Sequence, residues 1–252
     1  MMKKLLALGV LAIFGSTAQA EPIRTVLTKE NRLPRLYQAE LGTELWYLER
    51  EAADETAVVP YLRYTVLPNF ALVGTLPYRS VDPDDPMRSR QSGIGDATLG
   101  VEFVAYKDLF GYPWIMPHAE VSFDTGDEDK GLGAGNNEYT VGLAIGTTVN
   151  RVLHWAADAR YRIVDDQDNI PSIAASIVWD LDETFSLIAE LELSREKDVR
   201  DEFGMREDRH PLIFLAGMHY KASRALQFTL HGGTAKNSDL DTIIRGKVSY
   251  SF

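Results

Sequence analysis

Apolar residues fall at every second position through most of this chain, and that period restricts the fold more than any other feature. Ile115, Pro117, Ala119, Val121 and Phe123 alternate with Met116, His118, Glu120, Ser122 and Asp124. After the loop DTGDEDKGLGAGNN, Tyr139, Val141, Leu143 and Ile145 alternate with Glu138, Thr140, Gly142, Ala144 and Gly146. A period of two with one apolar face marks a half-buried strand. From Leu36 onward about twelve such segments follow one another. Their apolar faces carry no charge, although 25% of the residues are charged. A soluble two-sheet sandwich also keeps its inner faces clean, so that alone does not decide the class. The connections do, because long, acidic, Gly/Pro-rich loops alternate with tight turns such as Pro68-Asn69 and Asn150-Arg151. Tyr, Trp and Phe gather near the strand ends, as in interfacial girdles. The expected fold is all-β: an antiparallel transmembrane β-barrel of about twelve strands, with long extracellular loops and short periplasmic turns. Pro117 cannot donate to a strand ladder, so a bulge is expected beside it.

The N-terminus explains how such a chain would leave the cytoplasm. Lys3 and Lys4 precede the apolar run Leu5 to Phe14, and Ala18-Gln19-Ala20 reads as a cleavage site. Residues 1–20 are therefore read as a signal peptide. Residues 21–35 (EPIRTVLTKENRLPR) have no clear period and are expected to form a periplasmic segment. A position tucked into the barrel mouth is the less favoured reading. Residues 36–252 form the barrel, and the outer membrane is the expected location. The formal net charge of −11 argues against a nucleic-acid partner, and the absence of cysteine rules out thiolate metal sites. The expected partners are outer-membrane lipid and lipopolysaccharide, the barrel assembly machinery and a small-molecule solute.

The runs SGIGDATLGVEFVAYKD and HAEVSFDTGDEDKGLGAGNNEYTVGLAIG resemble the MetA-pathway phenol-degradation family. Members are regarded as transporter-like outer-membrane barrels, so the resemblance implies uptake of small organic molecules. The terminal VSYSF, with Tyr250 and Phe252, is similar to the signal by which assembly machinery recognises barrels.

Candidate sites were weighed against simpler readings. Asp124, Asp127, Glu128 and Asp129 share one loop, but Gly131 and Leu132 stand where an EF-hand needs a ligand and a glycine. A solvated surface loop is expected there, with no metal site and no cofactor. The five histidines, His118, His154, His210, His219 and His231, show no metal-binding spacing and are read mainly as lumen lining. No nucleophile–base signature points to an enzyme. Alternation places Glu40, Glu44, Arg63, Glu102, Glu120, Arg160, Arg162, Glu190, Glu192, His219, Lys221, Arg245 and Lys247 on the inner face. Such a mixed-sign lumen suits either cross-strand pairs that fill the interior or a pore for small neutral or zwitterionic solutes. The family resemblance implies small organic solutes, aromatic compounds among them, and a passive channel for these is the expected function. The alternative is a non-conducting barrel that displays acidic loops, and an envelope enzyme is the weakest option. Closure requires the first and last strands to pair, with Glu40 and Glu44 expected to form ion pairs with Arg245 and Lys247.

Overall fold

The computed structural model describes residues 23–34, 36–106, 113–165, 168–200 and 206–252. Residues 1–20, read as a signal peptide, lie outside the described residues. The strands close into a twelve-stranded antiparallel barrel. In chain order they are β1 (Ala39–Arg50), β2 (Ala53–Leu67), β3 (Phe70–Thr75 and Tyr78–Pro83), β4 (Gln91–Ile94 and Thr98–Phe103), β5 (Trp114–Ser122) and β6 (Glu138–Val149). The second half comprises β7 (Leu153–Val164), β8 (Ile170–Asp180), β9 (Phe185–Ser194), β10 (Leu212–Lys221), β11 (Leu226–Lys236) and β12 (Leu240–Ser251). Strands β3 and β4 are each interrupted once, at Leu76-Pro77 and at Gly95–Ala97, and both pieces pair with their neighbours. Strand β1 closes the sheet on β12, from Glu40↔Ser251 to Glu49↔Thr242, which leaves no free edge.

Connections differ between the two ends. At the turn end, Asn150 and Arg151 both adopt positive φ (52° and 62°), the backbone a tight antiparallel reversal requires. At the loop end lie the long connections after β3, β5 and β9, the last containing a short hairpin of Glu196–Arg200 with Arg206–Arg209. Two loop-end connections, after β1 and after β11, are also short. The expected asymmetry therefore holds for the loops after β3, β5 and β9. It fails beside the closing seam and again where the turn-end connection after β4 outruns the loop-end connection after β7.

The packing is inside out relative to a soluble protein. Leu41, Leu45, Leu62, Leu143, Ile173, Ile177, Trp179, Phe214 and Leu230 stand on the exterior with about half their surface bare, and the band continues around every strand. A soluble monomer rarely exposes a contiguous apolar patch beyond a few hundred Å². Lipid is the solvent such a face requires. Arg63, Glu40, Glu102, Glu190 and Asp158 are instead almost fully buried, on the inner face. The irregularity expected at Pro117 falls on the facing segment. Between Glu102↔His118 and Tyr106↔Ile115 the extra residue is in Phe103–Ala105, while Pro117 keeps continuous register with β6.

Inner glycines make room for rings from the facing strand. The Tyr61 ring lies over Gly42, where an added Cβ would meet it at 2.4 Å. His118 lies over Gly142 in the same way, at 2.3 Å. Alanine at either position would push the ring off its hydrogen-bond partner.

Candidate functional site: the barrel lumen

Residues 23–34 lie inside the barrel. The expected periplasmic segment is thus corrected: this stretch threads the lumen, and its backbone groups are satisfied by lumen side chains. Eight strands fill a barrel with their own side chains, whereas twelve leave space over. A polar peptide can occupy that space only if its N–H and C=O groups find partners. Near the turn end, Thr65 Oγ1 donates to Pro34 O at 2.7 Å, and the Arg63 guanidinium donates to Arg32 O. At mid-barrel the Glu190 carboxylate accepts the Val26 and Leu27 N–H groups at 2.9 and 2.7 Å. Thr28 and Ser176 share a hydroxyl hydrogen bond of 2.7 Å. Lys247 Nζ donates to Ile23 O at 3.1 Å.

The segment also holds itself in a curl. Glu30 accepts the Arg24 backbone N–H at 2.5 Å and pairs with both the Arg24 and Arg32 guanidiniums, at 3.0 and 3.3 Å. Burial alone would raise the Glu30 carboxyl, but Arg24 and Arg32 outweigh it and hold it low, at about 2. Arg24 reaches onward to Asp180 at 2.5 Å and Lys29 to Glu102 at 3.1 Å. At the apex, Leu27 packs against Leu48, Ala174, Leu215 and Ile243, an apolar wall on the loop-end half of the lumen.

Besides a small cavity of about 210 Å³ beside Glu30, Asn31 and Arg32, larger ones lie at the loop end, the middle and the turn end of the lumen. The outer one, at the loop end, measures about 600 Å³ and is bordered by Arg50, Glu55, Arg79, Arg162 and Leu215. A middle chamber of about 310 Å³ lies among Glu40, Glu44, Arg63, Glu102, Glu120 and Arg160. The third, at the turn end, measures about 630 Å³ and includes Arg24, Arg151, Asp180, His219 and Lys221. The loop after β5 folds back over the outer cavity. Asp96 anchors it by accepting the N–H groups of Gly126 at 2.8 Å and Ala134 at 2.7 Å. Leu132 is buried beneath it, and Arg79 donates to Leu132 O at 2.9 Å. The expectation of a solvated loop therefore describes only its outer part. No group of three or more metal-ligating side chains occurs among the described residues.

A model of the family described as "Putative MetA-pathway of phenol degradation" matches residues 47–242. The chain belongs to this family. Among solved structures, the COG4313 outer membrane channel from Pseudomonas putida F1 superposes with a TM-score of 0.69 at 13% identity, covering 95% of this chain and 100% of that one. The KdgM porin gives 0.60 at 14% identity, covering 84% and 99%. The NanC porin gives 0.57 at 10% identity, covering 84% and 98%. These neighbours are channels and porins and share the barrel fold with this family member. No curated protein matches the sequence.

Within this family member, all thirteen lumen candidates border a cavity or pair inside the barrel. Glu40, Arg63 and Glu102 form one turn-side cluster: Arg63 lies 2.6 Å from Glu102 and 3.7 Å from Glu40, and Tyr61 donates to Glu40 at 2.6 Å. Arg160 pairs with Glu192 at 2.6 Å, reaching past the small residue Ala174 on β8. Arg162 approaches Glu138 at 3.7 Å. Glu190 lies 3.3 Å from His231, and His219 shares a 3.0 Å hydrogen bond with Thr229. The seam departs from expectation. Only Lys247 and Glu40, 3.9 Å apart, reach ion-pair distance; Glu44 instead accepts the Trp46 indole N–H at 3.0 Å, and Arg245 lies on the Trp46 ring. Lys247 stands opposite Glu44 yet reaches Glu40, and the residue opposite Arg245 is Trp46 itself. Tyr250 and Phe252 face outward with rings 6.1 Å apart.

Sequence reasoning missed the apolar wall and the His118–Asp158 pair, whose atoms lie 2.9 Å apart. The wall left a signal in LWYL, LIFL and TII, where alternation lapses and both faces become apolar. His118–Asp158 left none, since its partners come from β5 and β7 with β6 between them.

Proposed function

We propose that this barrel is a passive channel of the outer membrane for small organic solutes, with the loop end outside and both termini at the periplasmic face. The cavities at the loop end, at mid-barrel and at the turn end carry the reading: about 600, 310 and 630 Å³, the first two sharing a boundary and all three bordered by charged side chains. Residues 23–34 narrow the path at mid-barrel. Solutes would move down their gradient past fixed charges of both signs, held weakly enough to leave. In this orientation lipopolysaccharide surrounds the acidic loops, and Tyr250 and Phe252 present the outward-facing terminal strand to the assembly machinery.

Reconstitution of the folded mature chain in planar bilayers, together with liposome swelling by sugars and amino acids, tests the proposal. Steady single-channel current with solute permeability is expected. Folded protein that passes neither ions nor solutes would sink it. One observation favours the second reading, a closed barrel that works through its loops: the depth to which residues 23–34 fill the lumen. Removing residues 23–33 separates the two, because an occluded barrel should conduct only after the deletion.

A further inference from the structure

Six residues border both the outer cavity and the middle chamber: Leu27, Trp46, Val59, Thr75, Thr98 and Arg245. They form the threshold any solute must cross between the two spaces. Arg245 and Trp46 are register partners across the seam, and the guanidinium carbon lies 4.7 Å from the indole centroid. Carboxylates surround this arginine, but each is engaged elsewhere. Glu44 takes the Trp46 N–H, Glu190 takes Val26 and Leu27, Glu192 pairs with Arg160, and Glu55 pairs with Arg79 at 2.8 Å. Among the described residues Arg245 has no ion-pair partner, and its buried Nε has no hydrogen-bond acceptor. Its planar donors are therefore available at the point where the path narrows.

The surroundings add sign and shape. The outer cavity sets four arginines, Arg50, Arg79, Arg162 and Arg245, against three carboxylates, Glu55, Asp96 and Glu138. Asp96 is moreover occupied by backbone N–H groups. Arg50 also pairs with Asp239 at 2.8 Å, so the approach is balanced in charge and Arg245 is, among the described residues, the cation left without a partner at the threshold. Beside it, two residues further toward the loop end on the same strands, lie Leu48 and Ile243, part of the apolar wall that Leu27 completes. A guanidinium stacked on a ring, with apolar side chains beside it, suits an anionic head and a flat apolar body.

We propose that Arg245, stacked on Trp46 and facing Leu27, is a binding threshold for small organic anions, carboxylates or sulfonates that carry a planar apolar body. This rests on the channel reading for its role in uptake, but binding can be measured without conduction. The probe is benzenesulfonate, which stays charged and does not cross lipid unaided, titrated calorimetrically into the folded protein in detergent micelles. Methanesulfonate and benzyltrimethylammonium serve as controls for body and sign. The native protein is expected to bind benzenesulfonate about tenfold more tightly than either control. Arg245→Gln should lose the preference over benzyltrimethylammonium. Arg245→Lys should keep the sign preference with weaker binding, and Trp46→Leu should weaken benzenesulfonate while sparing methanesulfonate. Heat-modifiable migration on gels confirms that each variant is folded. Equal binding of the three probes, or an Arg245→Gln variant indistinguishable from native, would overturn the threshold. Binding without current in bilayers would sink the channel reading and leave the anion site standing.

Discussion

The two halves of the lumen hold the same peptide by different physics. Toward the turn end, residues 29–34 are fixed by charge: Lys29 on Glu102, Arg63 on Arg32 O, Thr65 on Pro34 O. Toward the loop end one carboxylate, Glu190 on the Val26 and Leu27 N–H groups, is joined by apolar contact of Leu27 with Leu48, Leu215 and Ile243. Buried charges demand particular partners, since one left unpaired is strongly destabilising. Apolar contact demands only area, and tolerates sliding and partial withdrawal. The turn-end half thus carries the stronger anchor, and the loop-end half, held by one carboxylate and by apolar contact, is where the peptide is expected to yield first.

Deleting residues 23–33 removes both attachments and should have the largest effect. Single-channel conductance is expected to rise several-fold while the barrel still migrates as folded on unheated gels. Unchanged conductance would show that the path does not run past this segment. Arg63→Met breaks the anchor alone. It leaves Glu40 and Glu102 buried without their shared cation, at a cost of about 3–5 kcal/mol in urea unfolding from lipid vesicles. Met fills the volume, so a small loss would mean that water already screens the cluster.

Leu27→Ala tests the other half. It should cost less stability, about 1–3 kcal/mol, and appear mainly as noisier current with faster opening. If it destabilises as much as Arg63→Met, the division between anchor and sliding contact fails. Acid gives a graded test of the curl. The folded Glu30 carboxyl is held at about 2, below its unfolded value, so its contribution is complete above the ordinary carboxylate range and is lost as pH falls toward 2. Conductance should therefore stay level from pH 7 to about pH 5 and rise only in strong acid. A rise near neutrality would assign the hold to another group. Arg160→Ala should matter least, because the Arg160–Glu192 pair is partly exposed, with side chains 23% and 13% accessible. About 0.5–1 kcal/mol is expected in the same unfolding assay.

The sequence by itself determined the outer surface. Lipid penalises every misplaced charge, at roughly 2–4 kcal/mol for Lys or Arg at the midplane, so Leu41, Ile173 and Phe214 had to follow the pleat. That rule is local and written in consecutive residues. From it came the twelve strands, their phase, the tight turn at Asn150-Arg151 and the inner position of every lumen candidate. Inside, no such local rule operates. Glu190 meets Val26, Arg63 meets Arg32 O, and His118 meets Asp158 because closure brings distant strands within a few ångströms. The EPIRTVLTKENRLPR stretch has no period because its partners surround it on many strands instead of lying along one face. Polar and aperiodic, it reads like a tail from the sequence. Only the closed barrel, with unmet donors and acceptors facing a space twelve strands cannot fill, made it part of the lumen.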